Sequence, residues 1–172
     1  MPLTKRDPND KRNYVIIGGG AAGLNCAETL RQSGYTGKIT LVSAEKKLPY
    51  DRTLLTKTLP FGDATKFVLR DQSFLDGADI DVINDSVYAI HTDKKKVTFG
   101  RAQPMDYDKL VIATGGTARK PPITGIDSKH VYFLRSANDQ EKIKKQAKDI
   151  RSGVAIIGSG FIGSEAASAL KM

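Results

Sequence analysis

Twice in this chain a short β-branched run ends in a glycine turn that opens an alanine-rich helix: VIIGGGAAGLNCAETL from Val15, and AIIGSGFIGSEAASAL from Ala155. Both turns keep the spacing G-x-G-x-x-G, with Gly18, Gly20 and Gly23 in the first and Gly158, Gly160 and Gly163 in the second. The first glycine of such a turn permits the tight bend. The second lacks a Cβ, so a pyrophosphate can reach the backbone, and the third lets helix and strand pack closely. The helix's first turn, beginning at Ala21 and Ala22, offers free N–H groups and about half a positive charge to that phosphate. This repeated feature points to an α/β fold built on a parallel sheet with crossover helices, and it makes each turn a candidate nucleotide site.

The rest of the chain fits around these turns. The strand Tyr14–Gly18, the helix Ala21–Gln32 and the strand Lys38–Ser43 make one βαβ unit, with Gly34 just past the helix. LPYDRTLLTKTLP follows, bounded by Pro49 and Pro60, with a short helix over Thr53–Leu59. A loop and a short helix occupy Thr65–Gly77. Ile80–Asn84, Val87–His91 and Lys96–Phe99 then read as an antiparallel β-meander with Asp/Lys/Gly turns. Lys109–Thr114 is another buried strand, running into Gly115-Gly116 and the Pro121-Pro122 punctuation of a domain exit. Val131–Leu134 reads as a short strand and Ala137–Arg151 as a helix. The strand Val154–Ile157 and a helix from Phe161 repeat the opening pattern. Met172 falls within that helix, so the second unit is expected to be only begun, and the chain to be a fragment or one piece of a split protein.

The 172 residues suffice for about one domain with its own core. With 40% apolar and 27% charged residues the chain has an ordinary globular composition, and no apolar run nears the ~18 residues of a membrane span. The polar start carries Asp7 and Asp10 and has neither signal nor transit character. An intracellular compartment, mitochondrial or cytoplasmic, is expected. A single cysteine, Cys26, rules out an internal disulfide and a Cys-x-x-Cys redox or zinc site, and no metal site is expected. Cys26 reads as a small buried helix residue. The net charge of +8 is spread over several lysine-rich stretches, and Lys142–Arg151 reads as a solvated helix face. No aromatic stacking platform lies among these lysines, so charge alone gives nucleic-acid binding little support.

Glu45 lies just past the second strand, roughly twenty residues beyond Gly23, the spacing of an acid that binds a ribose hydroxyl. The alternative is a solvated turn carboxylate beside Lys46 and Lys47. Arg52 and Lys57 also have two readings. They are either the polar side of a connector whose Leu54, Leu55 and Leu59 pack inward, or cations facing an anionic or electron-accepting cofactor. No general base or nucleophile stands out, and His91 and His130 read as structural or surface residues.

The motifs VIIGGGAAGLNCAETLRQSGYTGKITLVSAE, LPYDRTLLTK, YDKLVIATGGTARKPP and VAIIGSGFIGSEAA span most of residues 13–170. In order and spacing they resemble the FAD-dependent pyridine nucleotide-disulfide reductase superfamily, in its ferredoxin reductase and apoptosis-inducing factor branch. KRDPND, and CAETLRQSG together with LPYDR, look most like apoptosis-inducing-factor-like members that carry an N-terminal Rieske iron–sulfur domain. The resemblance implies a linker at 1–13 and a Rossmann-like FAD-binding domain, with its parallel sheet and meander, over 14–120. The connection and the first strand and helix of an NAD(P)-binding domain would occupy 121–172.

Residue by residue, the resemblance implies that Gly18, Gly20, Ala21, Ala22 and Gly23 hold the FAD pyrophosphate. Glu45 stands one residue beyond Ala44, where many members carry the ribose acid. Arg52 and Lys57 match basic residues near the pyrophosphate and the flavin ring; Thr56 stands where serine is usual, and Thr53 where proline is common. Val87 matches a meander position that contacts adenine, and Ala113, Thr114 and Gly115 match a segment that closes over FAD. Gly158, Gly160 and Gly163 would serve NAD(P)H, and Glu165 matches an acid that pairs with the motif lysine beside the flavin.

The implied activity is that of an FAD-dependent NAD(P)H oxidoreductase, with Lys57 and Glu165 as its catalytic residues. Electrons would pass from nicotinamide through the flavin to an iron–sulfur acceptor, Rieske or ferredoxin-like, or to another one-electron acceptor. Arg52 and Lys57 stand where glutathione-reductase-like members need two cysteines, which argues against a dithiol route. The family's late FAD segment is not in this sequence, so the chain alone is expected to be inactive unless a second chain completes the fold. The competing reading is a non-catalytic basic module that binds nucleotide or DNA.

Overall fold

The computed structural model describes residues 3–59, 63–148 and 153–171. Met1, Pro2, Pro60, the 149–151 end of the expected lysine-rich helix, and Met172 lie outside the described residues. The chain forms two compact units, Met1–Tyr50 with Val68–Gly115, and Asp51–Phe67 with Gly116–Met172.

The first unit runs β1 (Asn13–Ile17), α1 (Ala21–Gln32), β2 (Lys38–Val42), α3 (Gln72–Gly77), β3 (Ile80–Ile83), β4 (Val87–His91), β5 (Lys96–Phe99), β6 (Met105–Asp106) and β7 (Lys109–Ile112). The second unit holds α2 (Leu54–Lys57), a 3₁₀ turn at Ala64–Phe67, α4 (Ala137–Ala147) and α5 (Phe161–Lys171).

Four parallel strands make the main sheet, in the order β3-β2-β1-β7. Its central strands β1 and β2 are near-continuous apolar runs and mostly buried, while the edge strands β3 and β7 expose Asp81, Lys109 and Ile112. Alternation along β1 sends Ile16 to one face, where Leu24 and Ala27 of α1, Leu75 of α3, and Ile39 and Leu41 of β2 close the core. Val15 and Ile17 point to the other face and pack with Val42 and Val97 beneath the meander. That meander is the antiparallel sheet β4-β5-β6. The residues ahead of β1 are docked on this unit: Thr4 N donates to Arg31 O, Asp7 N to Thr36 O, and Lys38 N to Arg12 O.

The structure revises several boundaries and assignments. Ile80–Ile83, expected in the meander, instead pairs in parallel with β2. The long connection through α3 supplies the crossover that a parallel neighbour requires. The meander's third strand is β6, which the sequence did not signal. The strand after Asp108 ends at Ile112 rather than Thr114; Ala113 N makes the last bond to β1, at Ile17 O. The short helix after Thr53 ends at Lys57 rather than Leu59. Val131–Leu134 and Val154–Ile157, expected as strands, join no ladder among the described residues. A lone apolar run has no neighbour to take its N–H and C=O groups, and Val154, Ile156 and Ile157 stay exposed.

Candidate nucleotide and flavin site

In the first unit the turn between β1 and α1 has the geometry that its glycines require. Gly18 has φ +124°, in the region that favours glycine, and a Cβ there would run into the Ala113 carbonyl. A Cβ on Gly23 would collide with the carbonyl of Gly18. Gly20 differs: it caps α1 in an extended conformation, with no side-chain cap, and a Cβ built on it meets nothing within 4 Å. Of the three motif glycines, Gly18 and Gly23 are thus fixed by packing, and Gly20 faces open space. Ala21 and Ala22 are exposed, so the first turn of α1 opens to solvent and lacks a side-chain acceptor at its cap. That is the donor set of an anion site at a helix N-terminus, and it fits a pyrophosphate.

Other expected residues gather in the same unit. Ala113 and Thr114 lie directly against Gly18, and Ala113 N donates to Ile17 O at 2.7 Å. The first glycine motif and the start of the Ala113–Gly115 segment are therefore neighbours. Glu45 is half-buried in the turn after β2 and accepts a hydrogen bond of 2.6 Å from the Tyr50 hydroxyl. Val87 opens β4 and packs against the core beneath the meander. His91 and His130 are exposed. Cys26 is half-buried on α1, and burial raises its thiol pKa.

The second unit brings together residues that are far apart in sequence. Asp51 starts the helical turn of α2 by accepting from Thr53 N and Thr53 Oγ1, both at 2.8 Å. Gln140 of α4, fully buried, donates to Leu55 O at 2.8 Å and to Thr58 Oγ1 at 2.7 Å, which ties α2 to α4. Arg52 donates to Arg135 O at 3.1 Å. Lys57 Nζ lies 3.0 Å from Glu165 Oε1 and 3.1 Å from Oε2, and it also donates to Thr53 O at 2.9 Å. The Thr56 hydroxyl donates to Glu165 Oε2. These donors, Thr56 first and Lys57 next, hold the Glu165 carboxyl below its usual range.

With side chains 48% and 33% exposed, the Lys57–Glu165 pair lies partly in solvent. Its worth to stability is therefore small, and its interest lies in where it holds the ammonium. The sequence marks Thr56 only as standing where serine is usual, and nothing local in it singles out Gln140 or Tyr50. The position of Thr56 beside Lys57 was the available signal for it.

The second glycine turn shares the backbone geometry of the first, although a Cβ on Gly158, unlike one on Gly18, meets nothing within 4 Å. Gly158 has φ +114°, a Cβ on Gly163 would collide with the Gly158 carbonyl, and Gly160 again faces nothing within 4 Å. Ser164 N donates to Gly160 O at 3.0 Å, just as Leu24 N donates to Gly20 O at 3.0 Å.

Two glycine turns of this geometry, the first on a parallel sheet with a meander packed behind it, define an FAD/NAD(P)-type α/β protein. The chain belongs to the pyridine nucleotide-disulphide oxidoreductase family, whose profile matches residues 12–172. It is 35% identical over 159 residues to apoptosis-inducing factor 3 of Mus musculus, an alignment that covers 92% of this chain and 26% of that protein. It is also 35% identical to the rubredoxin-NAD(+) reductase of Pseudomonas putida, covering 90% of this chain and 41% of the relative. Among solved structures, a ferredoxin reductase from Rhodopseudomonas palustris superposes with a TM-score of 0.87 at 31% identity, covering 94% of this chain and 40% of that one. The resemblance to the ferredoxin reductase and apoptosis-inducing factor branch is thereby borne out. The chain spans about a quarter to two-fifths of the length of these relatives.

Proposed function

We propose that the chain is part of an FAD-dependent NAD(P)H oxidoreductase that delivers electrons to an iron–sulfur or other one-electron acceptor. The observation that carries this reading is the β1–α1 turn, where packing fixes Gly18 and Gly23 while Gly20 leaves the approach to the helix N-terminus open. When bound there, FAD supplies hydride acceptance from nicotinamide and release of single electrons.

The chain's own residues do the holding. Gly18, Gly20, Ala21, Ala22 and Gly23 bind the pyrophosphate through backbone N–H groups, and Ala113, Thr114 and Gly115 wall that turn. Glu45, which accepts from the Tyr50 hydroxyl, also accepts from a ribose hydroxyl in this reading. Val87 backs the adenine, and Arg52 answers negative charge. Lys57, held by Glu165, sets an ammonium against the negative charge that develops on the ring system during reduction. Gly158, Gly160 and Gly163 receive the nicotinamide dinucleotide in the same way as the first turn.

The relatives named for rubredoxin and ferredoxin support a small iron–sulfur or iron carrier as acceptor. A Rieske-type acceptor and a mitochondrial or cytoplasmic site belong to the same reading. No described helix is long and apolar enough to cross a membrane.

The test is stopped-flow mixing of the intact protein with NADH. Lys57→Met should bleach the flavin ~10- to 1,000-fold more slowly than wild type, equivalent to ~1.4–4 kcal/mol of barrier. Bleaching at the wild-type rate would remove Lys57 from the reaction.

A further inference from the structure

Thr56 is 5% exposed and sits next to Lys57 on α2, facing the same carboxylate. Glu165 Oε2 receives the Thr56 hydroxyl and Lys57 Nζ, while Oε1 receives, among the described residues, Lys57 Nζ. An ionised carboxylate only accepts, and a threonine hydroxyl has one proton to give. That proton therefore goes to Glu165, and the 3.4 Å approach of the same hydroxyl to Thr53 O is the weaker alternative. The β-branched side chain is stiff about χ1. The backbone beneath it is also held, since buried Gln140 bonds Leu55 O and Thr58 Oγ1 on either side.

We infer that Thr56 is a positioning residue: its hydroxyl anchors the Glu165 carboxylate from the buried side, so that Glu165 holds the Lys57 ammonium in one place. This rests on the role given to Lys57 above. The usual serine of this motif would offer the same hydroxyl, which makes Thr56 an equivalent anchor rather than a loss.

The test measures Glu165 directly, through its ¹³C-carboxyl titration in the intact protein, with the signal assigned by its absence in Glu165→Gln. Thr56→Val keeps the shape and removes the hydroxyl, Thr56→Ser keeps the hydroxyl, and Thr56→Ala replaces the valine variant should that not fold. The Glu165 midpoint should rise in Thr56→Val and stay in place in Thr56→Ser. NADH-driven bleaching should slow ~3- to 10-fold in Thr56→Val, the worth of one hydrogen bond, and recover in Thr56→Ser. An unmoved midpoint in Thr56→Val overturns the inference. So does unchanged bleaching in Thr56→Val when Lys57→Met slows it. If Lys57→Met has no effect but the Thr56→Val midpoint still rises, the role of Lys57 fails while the anchoring of Glu165 by Thr56 stands.

Discussion

Arg31 carries a full charge on the core-facing side of α1 with no solvent exposure. Among the described residues its guanidinium donates to carbonyls: Nε to Ala78 O at 2.8 Å, Nη1 to Tyr35 O and Gly37 O at 2.8 Å, and Nη2 to Asp79 O at 2.7 Å. One side chain thus ties the end of α1 to the turn before β2 and to the end of α3. Nothing local in the sequence shows which carbonyls will meet Arg31, because two of them lie almost fifty residues on. Arg31→Met should lose on the order of 3 kcal/mol in denaturant unfolding, since several buried acceptors lose their donor; a loss below ~1 kcal/mol would show that water takes over those carbonyls. Asp85 is the acidic counterpart. It accepts from the backbone N–H groups of Ala102, Arg101 and Ser86, which together hold its carboxyl below the ordinary value. A depressed carboxylate pKa stabilises the fold above the unfolded value and loses that contribution as pH falls. The first unit should therefore weaken progressively below its ordinary pKa of 3.8. In Asp85→Asn that acid limb should flatten; an unchanged slope would mean the carboxylate does not contribute.

At the scale of elements, what was legible depended on how local the signal is. The bounds of α1 follow from Gly20 before it and Ser33-Gly34 after it, and the structure keeps them unchanged. The parallel neighbour of β2 was misassigned because four residues of alternating sequence do not say which sheet they join; the crossover through α3 decides that. Val154–Ile157 resembles the end of β1 in pattern, yet only Tyr14–Ile17 find partners on both sides, in β2 and β7. Glycine turns form from their own backbone, whereas strands need neighbours. Hydrogen exchange on this 172-residue chain should separate the two runs. Amides of Val15, Ile16 and Ile17 should be strongly protected, and those of Val154, Ile156 and Ile157 should exchange nearly as fast as in an unfolded peptide. Equal protection in the two runs would mean that residues 154–157 have found a partner strand.

At the scale of the whole molecule, the chain is two glycine turns of one geometry in a family that handles two dinucleotides. The family and the turns were readable because G-x-G-x-x-G states its own mechanical reason. The Thr56 contact and the Gln140 tie were not, because each joins segments eighty or more residues apart through single side chains. Binding of the FAD pyrophosphate at the β1–α1 turn, proposed above, is tested at Gly20 with the least disturbance to the fold. Its φ of −88° suits any residue, and a Cβ there touches nothing within 4 Å. Gly20→Ala should therefore cost at most ~1 kcal/mol of stability, the size of a helix-cap change. The deciding measurement is a fluorescence titration of the flavin-stripped intact protein with FAD. If the pyrophosphate lies on this turn, Gly20→Ala should bind FAD ~10-fold or more weakly than wild type, about 1.4 kcal/mol or more, while remaining folded. Wild-type affinity in that variant would contradict it.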